Sequence, residues 1–332
     1  MKEIILRQKE LFLKRLLFCL ALCLCVQNPL AQEHFATSLT EYYDKHSHEK
    51  AWEANEKALS ENTDVRYLAH KAKMLFSGHG VKKDVAQAKK IASDILPQLT
   101  QNKDAFSLYM SGWFYFIPLG TEKDLQKSLS LFTQASDKNF SPAMNHIGVM
   151  YRYGLGVEKN LDTAMIWYKK AAEHKSAYAM TNIANMYYYG SGVEKDLKEA
   201  ARWFQQAADL EFPEALYRYG IMNYYGEEIE LNQEKSIVLF QKAAAKKHSL
   251  SMFNLGVIYF YGTGAPSDFT TAYTWFLEAS KYKHAESMAF LGEMHEKGFG
   301  VDKDIDIALQ WFTKGAELGN ERSIEKLKKY AK

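Results

Sequence analysis

A glycine recurs at a strict 36-residue step through the second half of the chain. The series consists of Gly154, Gly190, Gly226, Gly262 and Gly298. A fixed period of this length is typical of stacked helical hairpins, in which each hairpin buries its apolar face against its neighbours. The period therefore predicts an all-α solenoid that forms one elongated domain, whereas 332 residues without a period would suggest two or three globular domains.

Each copy contains two predicted amphipathic helices on either side of the glycine turn. In residues 143–172, apolar and small residues at three- and four-residue spacing predict a first helix that ends near Tyr153 and a second helix that begins near Leu161. A small residue in the first helix allows the paired helices to approach closely. The residues at this position in successive copies are Gly112, Gly148, Ala184, Gly220, Gly256 and Gly292.

An acid or its amide precedes every second helix. A side chain of this type accepts hydrogen bonds from the free backbone amides at the N-terminus of a helix. Asp84 with Gln87 and Asp196 with Glu199 also have the spacing of a capping box. The predicted caps are Asp84, Asp124, Asn160, Asp196, Asn232, Asp268 and Asp304.

A pair of bulky side chains occupies the middle of most second helices. Each aromatic ring buries about 150–250 Å² of surface, so we interpret these pairs as packing between layers rather than as a cofactor site. The aromatic pairs are Trp167–Tyr168, Trp203–Phe204, Trp275–Phe276 and Trp311–Phe312.

The combined pattern of small residue, Gly-x-Gly turn, capping acid and Trp-aromatic pair resembles the Sel1-like repeat family, relatives of the tetratricopeptide repeats. The resemblance covers residues 65–320 in seven copies. It implies an α-solenoid of stacked helix-turn-helix units that forms a right-handed superhelix. It also implies a non-enzymatic adaptor, since Sel1-like proteins generally act in assembly or signalling, and exported bacterial members often act in envelope processes or host contact. Residues 32–64 are predicted to form a degenerate leading hairpin, and residues 321–332 a polar C-terminal capping helix.

The first 31 residues have the pattern of an export signal. Basic residues precede the apolar run Leu16 to Val26, and Pro29-Leu30-Ala31 follows it, which predicts a signal peptide cleaved after Ala31 and a periplasmic or secreted protein. Because Pro29 stands where a small residue is preferred, an uncleaved N-terminal membrane anchor is the alternative. All three cysteines lie in this run, so the mature chain is predicted to contain no thiol.

Removal of this segment leaves a chain that is close to neutral, because the segment carries five basic and two acidic residues of the 42 basic and 40 acidic residues in total. A nucleic-acid binder is expected to have a basic excess. We therefore predict no nucleic-acid partner.

The ends of the first helices carry an aromatic ladder that faces the inner surface of the solenoid when the tetratricopeptide register is mapped onto the copies. Tyr, Trp and Arg dominate the energetics of protein interfaces. We hypothesise that an extended or helical peptide binds there, and the alternative is that each ring packs against the neighbouring helix. The last copy breaks the ladder with Glu293, Glu296 and Lys297. The candidate partner-binding residues are Tyr109, Trp113, Phe116, Arg152, Tyr153, Tyr188, Tyr189, Tyr217, Tyr224, Tyr225, Phe253, Phe260 and Tyr261.

No pattern in the sequence indicates a catalytic, cofactor or metal site. His46 and His48 form a lone His-x-His pair, and the other histidines lack an acidic or nucleophilic partner at a useful spacing. The capping acids are single carboxylates, whereas calcium needs clustered oxygen ligands. We therefore predict a non-enzymatic protein without cofactor or metal, which binds a protein or peptide. Stacking of the aromatic ladder on a cell-envelope glycan, such as peptidoglycan or exopolysaccharide, is the rival hypothesis.

Overall fold

The structure is a computed structural model that describes residues 29–44 and 47–331. These residues form helices and turns without any strand, and consecutive helices pair, which confirms the predicted all-α solenoid. The chain divides into two compact units, Met1–Phe140 and Ser141–Lys332. Most of the predicted signal segment, with its cysteines, lies outside the described residues. Within the described ranges, no helix combines the length and the apolar character needed to cross a bilayer.

The first unit contains three consecutive helix pairs, α1 with α2, α3 with α4 and α5 with α6. A short π-helical turn, Thr40–Asp44, follows α1, so α1, this turn and α2 occupy the segment for which the sequence predicts a leading hairpin. The expected cleavage point after Ala31 falls in the first turn of α1. The helices are α1 (Pro29–Leu39), α2 (His48–Glu61), α3 (Val65–Ser77), α4 (Val85–Leu99), α5 (Ala105–Phe116) and α6 (Leu125–Ser136).

The second unit continues the same arrangement with five pairs and a closing helix. The first helices of the pairs are α7 (Ser141–Tyr153), α9 (Ala177–Tyr189), α11 (Pro213–Tyr225), α13 (Ser249–Tyr261) and α15 (Ala285–Lys297). The second helices are α8 (Leu161–Glu173), α10 (Leu197–Asp209), α12 (Gln233–Ala245), α14 (Phe269–Lys281) and α16 (Ile305–Glu317). The final helix, α17 (Glu321–Tyr330), packs on both α15 and α16.

Every predicted cap of a second helix is in place. In all seven copies the carboxylate or amide oxygen accepts a hydrogen bond from the backbone N–H three residues further on, at 2.8–3.1 Å. In six of the seven copies the turn before the cap begins with a glycine in the left-handed region, for example Gly190 at φ 65°, whose amide donates to the Met186 carbonyl. In the second copy α5 is followed instead by Ile117 at φ −107°. Glycine at this position ends the first helix without steric cost.

The prediction of capping boxes is wrong for one of the two hydrogen bonds: the backbone N–H of the cap residue does not donate to the side chain three residues later. The backbone N–H of Asp196, which a box would pair with the Glu199 side chain, donates instead to the Tyr187 carbonyl at 3.0 Å. The Glu199 carboxylate accepts hydrogen bonds from Trp203 Nε1 at 2.8 Å and Arg202 Nη1 at 3.0 Å. The amide of Asp84 is likewise taken by the Leu75 carbonyl. The first helix thus supplies the acceptor that an isolated helix would take from its own side chain.

The close approach of paired helices is confirmed by the space around the small residues. A Cβ atom added to Gly148 would lie 2.5 Å from Tyr168, and one added to Gly256 would lie 2.5 Å from Phe276. Both rings are fully buried. In each aromatic pair only the second ring is buried in this way. The Trp before it is half-buried at the surface of the second helix.

Candidate partner-binding face

Four tyrosines in the second unit are exposed at the same place in successive repeats. Tyr153, Tyr189, Tyr225 and Tyr261 are the last residues of α7, α9, α11 and α13, and their exposed fractions are 61, 59, 66 and 58%. They belong to the sequence-predicted ladder, and we call this set the tyrosine column. Aromatic rings of this size are usually more buried in soluble proteins, so the repetition of the exposure distinguishes the column from scattered surface residues.

The residue before each column tyrosine holds the ring in place. Tyr188, Tyr224 and Phe260 lie edge-on to their neighbours, with ring centroids 4.9, 5.0 and 4.9 Å from those of the column tyrosines. In the first of these repeats Arg152 takes the same position, and its guanidinium lies 5.4 Å from the centroid of the Tyr153 ring. These contacts orient the exposed rings.

The supporting residues are themselves fixed by the following repeat. The Tyr188 hydroxyl donates to Glu227 Oε2 at 3.0 Å, and the Tyr224 hydroxyl donates to the Thr263 carbonyl at 3.5 Å. Burial and the bond to the Glu227 carboxylate raise the pKa of Tyr188 above its ordinary value. Phe260 packs against Phe290 of the following repeat with a centroid distance of 5.5 Å. Each support therefore joins a helix end to the next repeat, as the packing interpretation predicts.

Two further predicted residues, Tyr217 and Phe253, are half-buried and pack between repeats. The Tyr217 ring lies 4.9 Å from that of His248, and the Phe253 ring lies 4.6 Å from that of His284. Both histidines cap the first helix of the next repeat through Nδ1. These two rings therefore contribute to cohesion of the solenoid.

The prediction that Tyr109 and Trp113 face a partner is not matched by their position. Their exposed fractions are 1 and 5%, because Lys73 and the Tyr43 ring pack against Tyr109 and the Phe76 ring packs against Trp113. Tyr109 accepts a hydrogen bond from Lys73 Nζ at 2.8 Å. Phe116 is half-buried, with its ring centroid 6.2 Å from that of Phe132.

The last copy ends the ladder through ion pairs with the closing helix. Arg322 on α17 donates two hydrogen bonds to the Glu293 carboxylate, at 2.8 and 2.6 Å. Glu296 forms ion-paired and hydrogen-bonded contacts with Lys326 and Tyr330. Of the sequence-predicted charges here, only Lys297 is exposed.

Charged side chains near the column are largely paired with each other. Arg218 donates to Glu214 Oε1 at 2.7 Å, and His248 lies 3.3 Å from Glu214 Oε2. These hydrogen bonds, first that of His248, lower the pKa of Glu214 despite its burial. The described residues contain no group of three or more His, Cys, Asp or Glu side chains placed to bind a metal ion, and His46 lies outside them.

The Sel1 repeat model matches the chain seven times. The matched residues are 66–91, 105–140, 141–176, 177–212, 213–248, 249–281 and 285–320.

Two solved structures are similar over most of the chain. One is a Sel1 repeat protein from Oxalobacter formigenes, which is 25% identical over 90% of this chain and 87% of that chain, with a TM-score of 0.64. The other is c5321, a protective antigen present in uropathogenic Escherichia coli strains that displays an SLR fold; it is 22% identical over 88% of this chain and 62% of that chain, with a TM-score of 0.60. The second likeness concerns the fold alone.

No curated protein matches the chain. The seven matches to the repeat model span more than half of its residues. The chain therefore belongs to the Sel1 repeat family, whose members are generally non-enzymatic scaffolds that mediate protein–protein interaction.

Proposed function

We propose that this protein is a non-enzymatic scaffold, or adaptor, that binds a protein or peptide partner along the tyrosine column of its second unit. The observation that carries the proposal is the equal exposure of Tyr153, Tyr189, Tyr225 and Tyr261, between 58 and 66%, at the ends of successive first helices. Tyrosine offers a large apolar area, few rotatable bonds and a polar tip, which is why it is common among the residues that dominate binding energy.

The support behind each ring favours tight binding. A side chain that is already held in one orientation loses less conformational entropy when a partner binds, and that saving amounts to about 0.5–1.5 kcal/mol for each immobilised side chain. The edge-on contacts of Tyr188, Tyr224 and Phe260 provide this restraint.

A protein partner fits this face better than a glycan. Sugar recognition combines an aromatic platform with polar groups that bond the sugar hydroxyls. Beside the column, the Tyr188 hydroxyl is bonded to Glu227, and Glu214 is bonded to Arg218 and His248. The polar groups next to the exposed rings are thus largely engaged within the protein.

The proposal includes export to the periplasm or beyond the cell. It rests on the basic start, the apolar run and Pro29-Leu30-Ala31 in the first 31 residues. A partner is accordingly sought among envelope or extracellular proteins.

The test has two steps. A photo-crosslinking amino acid at position 189 or 225 of the protein expressed in its own cells captures the partner, and the affinity for that purified partner is then measured. We expect Tyr189→Ala combined with Tyr225→Ala to weaken binding by about 2 kcal/mol or more for each ring removed, because central aromatic residues contribute on that scale. Circular dichroism checks that the helix content is unchanged.

The matched control removes exposed apolar side chains from second helices. Ile166 on α8 and Val238 on α12 are 54 and 49% exposed. Ile166→Ala combined with Val238→Ala should leave the affinity unchanged. Equal affinity of the tyrosine variant and the wild type would refute the proposal. The proposal would also be refuted if purified cell-wall glycan retained the wild-type protein but not the tyrosine variant, because the column would then bind a glycan.

A further inference from the structure

A lysine in the first unit is buried within a cluster of aromatic side chains. Lys73 on α3 is 8% exposed, and its Nζ donates to the hydroxyls of Tyr43 at 2.7 Å and Tyr109 at 2.8 Å. The rings of Tyr42, Tyr43, Tyr109 and Trp113 surround Nζ at centroid distances of 4.7–5.5 Å. No carboxylate pairs with Lys73 among the described residues. Burial lowers the pKa of Lys73 from 10.5 to about 7.

A second buried base, His70, lies one turn earlier on α3. Ser38 of α1 donates its hydroxyl proton to the Ala51 carbonyl at 2.7 Å, so its oxygen accepts the hydrogen bond from His70 Nδ1 at 3.1 Å. Nε2 of His70 is then buried without a hydrogen-bond partner. Protonation would place an unpaired N–H and a positive charge in this interior, so burial, and then Lys73, lower the pKa of His70 well below its ordinary value.

A third base, His79, follows α3 in the turn. The Tyr42 hydroxyl and His79 Nδ1 form a hydrogen bond of 2.8 Å, and the ring of His48 stacks on that of His79 at 4.3 Å. Burial and the charge of Lys73 lower the pKa of His79.

The three bases have one feature in common. Each is hydrogen-bonded to a side chain of the leading segment, which we define as α1, the π-helical turn and α2 (residues 29–44 and 48–61). The segment also covers apolar surface, because Phe35 lies 4.5 Å from Tyr67 and 5.2 Å from Phe106 between ring centroids.

Three of the carboxylates near these contacts form pairs with other basic side chains, and a fourth is buried on the π-helical turn. Glu56 of α2 pairs with Lys71 of α3 at 3.0 Å, and Glu61 lies 3.5 Å from His34. On α3, Arg66 pairs with Asp64. Glu41 is buried on the π-helical turn. The titratable group that α5 contributes to the cluster is the Tyr109 hydroxyl.

We propose that the leading segment is an acid-sensitive cover, which lies on α3 and α5 in alkaline and neutral solution and detaches on mild acidification to uncover the aromatic face of Tyr67, Phe106 and Tyr109. The docked state favours the neutral form of all three bases, whereas the detached state lets water solvate their charged forms. Docking therefore weakens first through Lys73 as the pH falls from 10.5 towards 7, and then through His70 and His79 as it falls below 6.5.

Hydrogen–deuterium exchange of the full chain between pH 8.5 and 5.5 tests the proposal, with rates corrected for the intrinsic effect of pH. Amides of residues 30–44 and 48–61 should lose protection by about tenfold per pH unit for each proton taken up on detachment. Amides of α8 in the other unit should keep theirs. Constant protection of the leading segment over this range would overturn the proposal, and so would a simultaneous loss of protection in α4 and α6, which would indicate general acid unfolding.

Two variants assign the effect to the cluster. Lys73→Met keeps the aliphatic stem and removes the charge, so the loss of protection should move to lower pH. If that variant does not fold, His79→Gln provides the same test, since glutamine retains an acceptor for the Tyr42 hydroxyl. His174→Gln, at an exposed histidine after α8, is the matched control and should leave the profile unchanged. If a folded Lys73→Met or His79→Gln variant shows the same pH dependence of protection as the wild type, the cluster does not cause the effect.

Discussion

At the scale of single residues, five of the helix pairs have a glycine on the first helix opposite an aromatic ring on the second. A Cβ atom added to Gly256 would lie 2.5 Å from Cε1 of Phe276, and that ring is fully buried. Such contacts repeat with the period of the sequence, so they follow from the alignment of the copies alone. The packing around them leaves no room for a methyl group without movement of the ring.

Gly256→Ala should therefore destabilise the protein, although alanine is the better helix former by about 1 kcal/mol. Overpacking of a tight core costs about 1–3 kcal/mol, so the net effect should be a loss of unfolding free energy, measured by urea denaturation. Gln206→Ala at an exposed site on α10 is the control and should not destabilise. A Gly256→Ala variant that is more stable than the wild type would contradict the close contact.

The repeat pattern predicts which residues occupy equivalent positions in successive copies, but it predicts less well how exposed each side chain is. Tyr109 and Tyr217 occupy equivalent positions, and the sequence assigns both to the inner face. Tyr217 is half-buried, whereas Tyr109 is 1% exposed because Lys73 and the leading segment surround it. Contacts that join the repeats to a segment without the repeat pattern have no periodic signal, and for this reason neither the buried lysine nor its aromatic surroundings could be predicted.

At the scale of helices, the caps of second helices are uniform and those of first helices are not. Asp64 and Asp104 cap α3 and α5, Ser176 caps α9, and His248 and His284 cap α13 and α15. The uniform caps were predicted from the recurring acid before each second helix. The histidine caps could not be predicted in this way, because histidine is an infrequent cap and accepts a hydrogen bond only when the nitrogen concerned is unprotonated.

The histidine cap of α15 makes that helix sensitive to pH. His284 Nδ1 accepts a hydrogen bond from the Ser287 backbone N–H at 3.2 Å, and burial lowers the pKa of His284 below 6.5. The contribution of the neutral form is complete above pH 6.5 and is lost as the pH falls through the lowered value. The unfolding free energy should thus decrease in acid by about 1 kcal/mol more in the wild type than in His284→Asn.

Asparagine is a suitable replacement because Asn160, Asn232 and Asn320 cap other helices of this unit. Urea denaturation at pH 8 and at pH 5 gives the comparison. Identical pH dependence in the two proteins would mean that the His284 cap does not contribute.

At the scale of the molecule, the boundary between the two units falls between the second and third Sel1 repeats. Within a repeat array, each repeat is stabilised by contacts with its neighbours. A substitution that destabilises one end should therefore affect only the repeats that such contacts connect to it. In the second unit, α17 closes the array through the ion pairs of Arg322 with Glu286 and Glu293.

Phe312→Ala should destabilise the closing end of the second unit selectively. The ring is fully buried against Gly292, and its loss should cost about 3–5 kcal/mol. Hydrogen exchange should accelerate in α15, α16 and α17, while α7 and α8 keep their protection. Gln310→Ala, at an exposed neighbour on α16, should have no such effect. Equal acceleration in α7 and α8 would show that the unit unfolds as a single cooperative body.

The tyrosine column has a consequence for how selectivity arises. If a partner binds there as proposed, the four nearly identical tyrosines offer it several equivalent positions, so the column by itself does not fix where along the array the partner lies. A partner with a matching repeat would gain affinity with each tyrosine that it contacts, and it would shift by one repeat at little cost. The position before each tyrosine would distinguish the two ends of the column, because it holds Arg152 at one end and Phe260 at the other, with Tyr188 and Tyr224 between them.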